Sequence, residues 1–174
     1  MKIALVAPVK GSGEFQLAAA NVYHMPQGGL QQLRRLTPNE HDVEVFANAN
    51  DGTVAELATF DLVAITVNTK LAPAGYKIAL EVKDRNPAGA VVMGGVHVSF
   101  NPEEAASYCD CVVVGEADEV WEQILTDFSQ GRLEKFYYPQ QPSSLDFLTH
   151  RKTEHGERRT SKKCSPPHLF FASW

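Results

Sequence analysis

The segment VVMGGVHVSFNPEEA, residues 91–105, gathers residue types that could do chemistry. Three apolar residues, Val91, Val92 and Met93, stop at Gly94-Gly95; His97 follows, and Pro102-Glu103-Glu104 opens an acidic helix. Paired glycines at the end of an apolar strand let backbone lie close to whatever sits there. The same glycines can be plain strand-to-helix punctuation, and His97 a hydrogen-bonded loop histidine. Glu103 and Glu104 suit a helix first turn with no further role. Three other segments share this character. Pro8 opens a long stretch of small residues running to Gln27 and followed by Gly28-Gly29. Thr66, Asn68 and Thr69 offer hydroxyls and an amide after an apolar run, and Gly115-Glu116 follows another. Glu116 either lines a site or caps a helix beginning near Asp118. Only Lys10 and Lys70 bring positive charge to these segments. A broad, neutral-to-polar ligand therefore fits better than a triphosphate, which calls for cationic partners.

These segments need elements to hold them together. KIALVAP, DVEVFA, DLVAITVN, AVVMGG and CVVVGE read as five strands, most of them continuously apolar, as strands buried on both faces are. Between them, Leu30, Leu33 and Leu36 recur at helical spacing before Pro38. VAELATF is a short helix or turn, and APAGYKIALEVKDRN is the best helix, with Pro73 in its first turn and Ile78 and Val82 as an i, i+4 pair. PEEAASY is a short helix. DEVWEQILTDFSQG is amphipathic, with Val120, Trp121, Ile124, Leu125 and Phe128 in one stripe and Gly131 as its stop. LEKFYY could add an edge strand. Alternating strands and helices imply an α/β, doubly wound (flavodoxin-like, Rossmann-like) parallel five-stranded sheet with helices on both faces. Its economical strand order is 2-1-3-4-5. Ligands then sit outside the carboxyl ends of the strands, which collects the loops after Ala7, Val67, Met93 and Val114.

Composition narrows the options. No apolar run approaches the roughly 20 residues of a membrane span, and the start lacks a signal-peptide h-region. A cytoplasmic protein is expected, with no membrane partner. Net charge is −5. The first 148 residues hold 10 basic and 19 acidic side chains, net −9, which argues against a nucleic-acid partner. Residues 139–174 read as an irregular basic tail with no independent domain, and residues 1–138 as the domain proper. Cys109 and Cys111 should lie on opposite faces of a strand as small core residues; neither a disulfide framework nor a metal site is expected of the cysteines. The segment GSGEFQ lacks the third glycine of a dinucleotide fingerprint. There is no GxxxxGK[ST] loop and no GxSxG elbow. A phospho-receiver aspartate is replaced by Asn68.

Taken together, MKIALVAP, DLVAITVNT, AGYKIALEVKDRN, the GG-x-H-x(4)-PEEA segment and VVVGEAD-x-VW resemble the N-terminal cobalamin-binding domain of B12-dependent radical SAM enzymes. The resemblance covers residues 1–138 and implies cobalamin lying flat over the strand ends. It places Pro8, Gly28, Thr66, Asn68, Thr69, Gly94, Gly95, His97, Gly115 and Glu116 around the cofactor. Thr66, Asn68 and Thr69 would line the nucleotide-tail side, Gly94, Gly95 and His97 would admit the ligand, and Gly115-Glu116 would close the far wall. Two departures bear on this. No D-x-H-x-x-G supplies an axial histidine, so no protein ligand to cobalt is assigned to His24 or His97; the corrinoid is expected base-off. No CxxxCxxC follows, so no iron–sulfur cluster and no catalysis are expected of this chain alone; the partner would be a radical SAM domain or protein. The tail would be a truncation remnant, a shifted frame or an extension. The other readings are a degenerate interaction or regulatory module without cofactor, and a flavin or nucleotide binder. Gly95→Val is expected to abolish corrinoid binding in a still folded domain, and His97→Ala to weaken binding without changing the cobalt spectrum.

Overall fold

The computed structural model describes residues 1–9 and 28–139. The long small-residue loop with Lys10 and His24, and nearly all of the basic tail, lie outside these residues. The strands are β1 (Lys2–Pro8), β2 (Asp42–Ala49), β3 (Leu62–Thr66), β4 (Ala90–Gly94), β5 (Cys111–Val113) and β6 (Phe136–Tyr137). All pairings are parallel and the order is β2-β1-β3-β4-β5-β6. The doubly wound sheet is thus the expected one, with LEKFYY supplying a sixth strand two residues long at the edge.

The helices are α1 (Gly28–Leu36), α2 (Val54–Leu57), α3 (Ala72–Arg85), α4 (Val96–Phe100), α5 (Pro102–Ala106) and α6 (Trp121–Ser129). Their buried faces follow the apolar spacing. Leu30 and Leu33 of α1 are buried, as are Ile78 and Val82 of α3, whereas Leu80 is 48% exposed. Asn86 ends α3 and, through its side-chain NH2, donates to the Phe60 carbonyl at 3.0 Å. Gly131, at φ +68°, follows the end of α6. Segment 96–100, where His97 reads from sequence as a loop histidine, is a helix, begun by the reversal at Gly95 and ended where Asn101 leaves helical geometry ahead of Pro102.

The sheet separates two apolar layers. On one side Val6, Val63, Ile65 and Met93 pack under α2, α3 and α5 through Leu57, Ile78, Val82 and Ala105. On the other, Ile3, Leu5, Ala64 and Val92 pack under α1 and α6 through Leu30, Leu33, Trp121 and Ile124. Cys109 lies in the first layer and Cys111 in the second; residues two apart within a strand would share a face, and the two part because Cys109 precedes β5, in the connection after α5. Both are buried free thiols. Burial pushes the Cys109 thiol up to about 11 and raises Cys111 further still. Trp121 is fully buried, and its indole N–H donates to Thr37 Oγ1 at 2.9 Å. Thr37 in turn donates to the Leu33 carbonyl at 2.7 Å. No described helix is long and apolar enough to cross a membrane.

Candidate functional site

The carboxyl ends of β1, β3, β4 and β5 converge on one edge of the sheet, where the glycine-rich segments lie. Thr66, the last residue of β3, is in register with Gly94, the last of β4. Beyond them the two strand ends are tied together. The Val67 N–H donates to the Gly94 carbonyl at 2.8 Å, and the Val67 carbonyl accepts from the His97 N–H at 3.1 Å. Gly95 sits inside this clasp with φ +103°. A Cβ there would lie 2.8 Å from both Val67 N and Val67 O and 3.1 Å from Thr66 Oγ1. The glycine is therefore required by the protein's own backbone. This bears on the expectation for Gly95→Val: the side chain would press on the joint between β3 and β4, so the variant should lose stability, and lost corrinoid binding would not by itself report on the ligand.

Ser99 links this joint to the next loop. Its hydroxyl donates to the Gly95 carbonyl at 3.0 Å and accepts from the Gly115 N–H at 2.9 Å. Gly115 has φ +100°, another conformation that favours glycine. Glu116 follows, half-buried. Its carboxyl is raised above the ordinary range by burial, then by the neighbouring Asp118 and Glu119. Asp118 is raised for the same reason, opposed by a hydrogen bond from Gln32 of α1.

Asn68 and Thr69 are exposed. Asn68 Oδ1 accepts from the Leu71 N–H at 3.1 Å, capping the 3-10 turn Thr69–Leu71 that leads into α3. Pro8 ends β1 and is buried. Gly28 is the exposed first residue of α1, with open space where a side chain would begin. The structure thus brings Thr66, Gly94, Gly95, His97 and Gly115 into one bonded cluster, with Glu116 next to it, and gives Gly28 no described contact with that cluster.

Three residues outside the expected site belong to its framework: Ser99, Gly75 and Tyr76. Gly75 brings α3 down onto the strand ends. A Cβ on it would lie 3.0 Å from Val67 Cγ2 and 3.7 Å from both Met93 Cε and Pro8 Cγ. The next residue, Tyr76, stacks on Tyr108 with centroids 4.2 Å apart and planes 6° apart, and packs against the His97 ring at 5.9 Å. Only 8% of His97 is exposed, and neither ring nitrogen has a hydrogen-bond partner among the described residues. The Tyr76 hydroxyl likewise has none. Burial, and then the carboxylate of Glu104, push its pKa up to about 12, although that carboxylate does not meet it in hydrogen-bond geometry. A lone Gly75 in a helical pattern was a signal available in the sequence; the orphaned ring atoms were not.

A doubly wound parallel sheet with polar, glycine-built loops at its strand ends defines an α/β ligand-binding domain. Residues 19–125 match the B12 binding domain family, and the chain belongs to that family. Among similar proteins, Bacteriochlorophyllide d C-8(2)-methyltransferase of Chlorobaculum tepidum is 40% identical over 116 residues, covering 67% of this chain and 25% of that protein. An uncharacterized methyltransferase of Pyrococcus horikoshii is 33% identical over 142 residues, 76% of this chain and 30% of its own length. Bacteriochlorophyllide d C-12(1)-methyltransferase of C. tepidum is 33% identical over 109 residues, 62% of this chain and 24% of that protein. The chain spans about a quarter to three-tenths of the length of these relatives.

Proposed function

We propose that this chain binds cobalamin over the carboxyl ends of its strands and presents it to a methyltransferase of the radical SAM class. The observation that carries the reading is the polar cluster at those ends: Thr66, Gly94, Gly95, His97 and Gly115, in a member of the B12 binding domain family. The cluster fits an uncharged, amide-rich ligand. Its backbone groups are spent on one another, and the side chain it brings to the strand ends is the imidazole of His97, whose nitrogens have no partner among the described residues and are suited to hydrogen bonding with such a group. Asn68 and Thr69, exposed beside Thr66, are suited to the nucleotide side, and Glu116 to the far wall. Pro8 and Gly28 frame the approach from β1 and α1.

When bound, cobalamin supplies a cobalt centre for methyl or electron transfer. The chain's own part is to bind and orient it. His97 is not assigned to cobalt, and the corrinoid would be held base-off with no histidine from this chain in place of its own base. No turnover and no iron–sulfur cluster are assigned to this chain; the substrate radical would arise on a radical SAM domain or partner, with residues 1–138 as the binding domain and the basic segment 139–174 apart from it. The buried free thiols Cys109 and Cys111 agree with a reducing, cytoplasmic setting.

The test is direct. Purified protein is mixed with hydroxocobalamin and, separately, with methylcobalamin, desalted, and its visible spectrum recorded. Retained corrinoid with a base-off spectrum is expected. A colourless peak from folded protein would favour the degenerate interaction module, and a yellow, fluorescent preparation a flavin binder.

A further inference from the structure

We propose that Ser99 is a positioning residue whose hydroxyl couples the ligand face of the sheet to Pro139, just beyond β6. The inference rests on the corrinoid reading above and adds to it a route by which binding is felt at the far edge of the domain. The parallel pairing is uneven at the strand ends. Between β3 and β4 it runs to Thr66 and Gly94 and is continued by the backbone bonds of Val67 with Gly94 and His97. Between β4 and β5 it stops at Met93 and Val112. Beyond that pair, no backbone hydrogen bond among the described residues joins the loop after β4 to the loop after β5. A side chain closes the seam instead: the Ser99 hydroxyl accepts from the Gly115 N–H at 2.9 Å.

A hydroxyl suits this place because it gives and takes at once. Ser99 donates to the Gly95 carbonyl one helical turn back, at 3.0 Å, and is thereby oriented by the joint with β3 that Gly95 completes. Its oxygen then meets Gly115. Gly115, at φ +100°, passes the contact on: a Cβ there would lie 3.2 Å from Pro139 Cγ and 3.6 Å from Pro139 Cδ. The preceding residue, Val114, donates its N–H to the Tyr137 carbonyl at 3.0 Å and so holds β6. Short contacts thus lead from the joint at the strand ends to the outer edge of the sheet. A ladder of several bonds would make the two loops one body. A single neutral side-chain bond has two states, joined and parted, separated only by the small net worth of one such bond. A ligand that settles across both loops makes its full set of contacts in the joined state and shifts the population toward it.

Amide hydrogen exchange of the full chain, read by mass spectrometry with and without saturating hydroxocobalamin, tests the coupling. In wild type the corrinoid should slow exchange severalfold in segment 95–98 and also in segment 136–138. Ser99→Ala should bind hydroxocobalamin about fivefold more weakly, the scale of one neutral hydrogen bond. At saturation it should still be protected at 95–98 but show no response at 136–138. A serine with a merely structural role would lower the melting temperature when replaced and leave that distant response in place. Ser99→Thr, which keeps the hydroxyl, should respond as wild type does. A response at 136–138 that survives in Ser99→Ala would overturn the inference. So would a wild type that binds the corrinoid with no change there, or a threonine variant that binds without transmitting. Should Ser99→Ala fail to fold, Ser99→Cys decides by the same readout, since it keeps the side-chain shape with a far weaker acceptor. If wild type retains no corrinoid, the corrinoid reading itself falls and this inference with it.

Discussion

Gly95 shows how one residue can look functional for one reason and be required for another. The paired glycines at the end of an apolar strand are legible, but sequence cannot say whether a ligand or the protein's own chain occupies the missing side chain's place. Here Val67 does, with both its N and O at 2.8 Å from a Cβ. Gly95→Ala should therefore destabilise by about 3 kcal/mol, combining left-handed strain with overpacking. A fall in the urea midpoint at constant m would show it; an unchanged midpoint would mean that the clasp relaxes. Ser99→Ala should cost about 1 kcal/mol, since it leaves the Gly115 N–H without its partner, while the Gly95 carbonyl keeps the Ser99 N–H. Glu116 makes the opposite case. Its folded-state pKa is raised, so the carboxyl favours folding while protonated and loses that contribution as pH rises. Glu116→Gln should thus be more stable than wild type at pH 7, and the gap should close in acid, where both side chains are neutral. Paired melts at neutral and acid pH check the sign.

At the scale of elements, periodicity located the longer helices and missed a short one, although that one buries His97 and Val98. Trp121, Ile124 and Leu125 form a stripe long enough to register, and all are buried. Helix α4 is five residues long, too short for any period, and it owes its existence to the reversal at Gly95. The tertiary contacts that hold elements together left no local trace either. Trp121 and Thr37 are 84 residues apart, and their hydrogen bond seats α6 beside the end of α1. Trp121→Phe should lose about 2 kcal/mol through the indole N–H bond and the unfilled ring volume. Thr37→Val in the same background should then cost little more, since the partner is already gone. A double-mutant cycle from urea unfolding measures this coupling, and strict additivity would argue against the bond. Likewise, the sixth strand was only a suggestion in LEKFYY. Two residues cannot show alternation, and Tyr137 is fixed from elsewhere: its hydroxyl donates to Asp127 at 3.0 Å and accepts from the Glu134 N–H at 3.1 Å.

For the molecule as a whole, buried weak acids set an alkaline limit. The Cys109 thiol moves from its ordinary 9 to about 11, and the Tyr76 and Tyr137 phenols from 10 to about 12, chiefly through burial. Each folded-state pKa is raised, so the contribution is complete below the unfolded value and disappears as pH rises through the folded one. Stability should hold up to about pH 9 and decline between there and pH 12. The Tyr76→Phe/Tyr137→Phe double variant should flatten the upper part of that decline in melts across the range, and an identical slope would rule the phenols out. The strand order has a consequence during synthesis as well. β1, β2 and β3 already form a three-stranded sheet once residue 66 has emerged, and β4, β5 and β6 then join one edge in the order in which they are made. No strand has to be threaded between two that are already paired. A nascent chain can therefore add these strands in order, but at every pause the newest strand leaves its outer edge bare, and that edge is where a stalled chain would meet its neighbours.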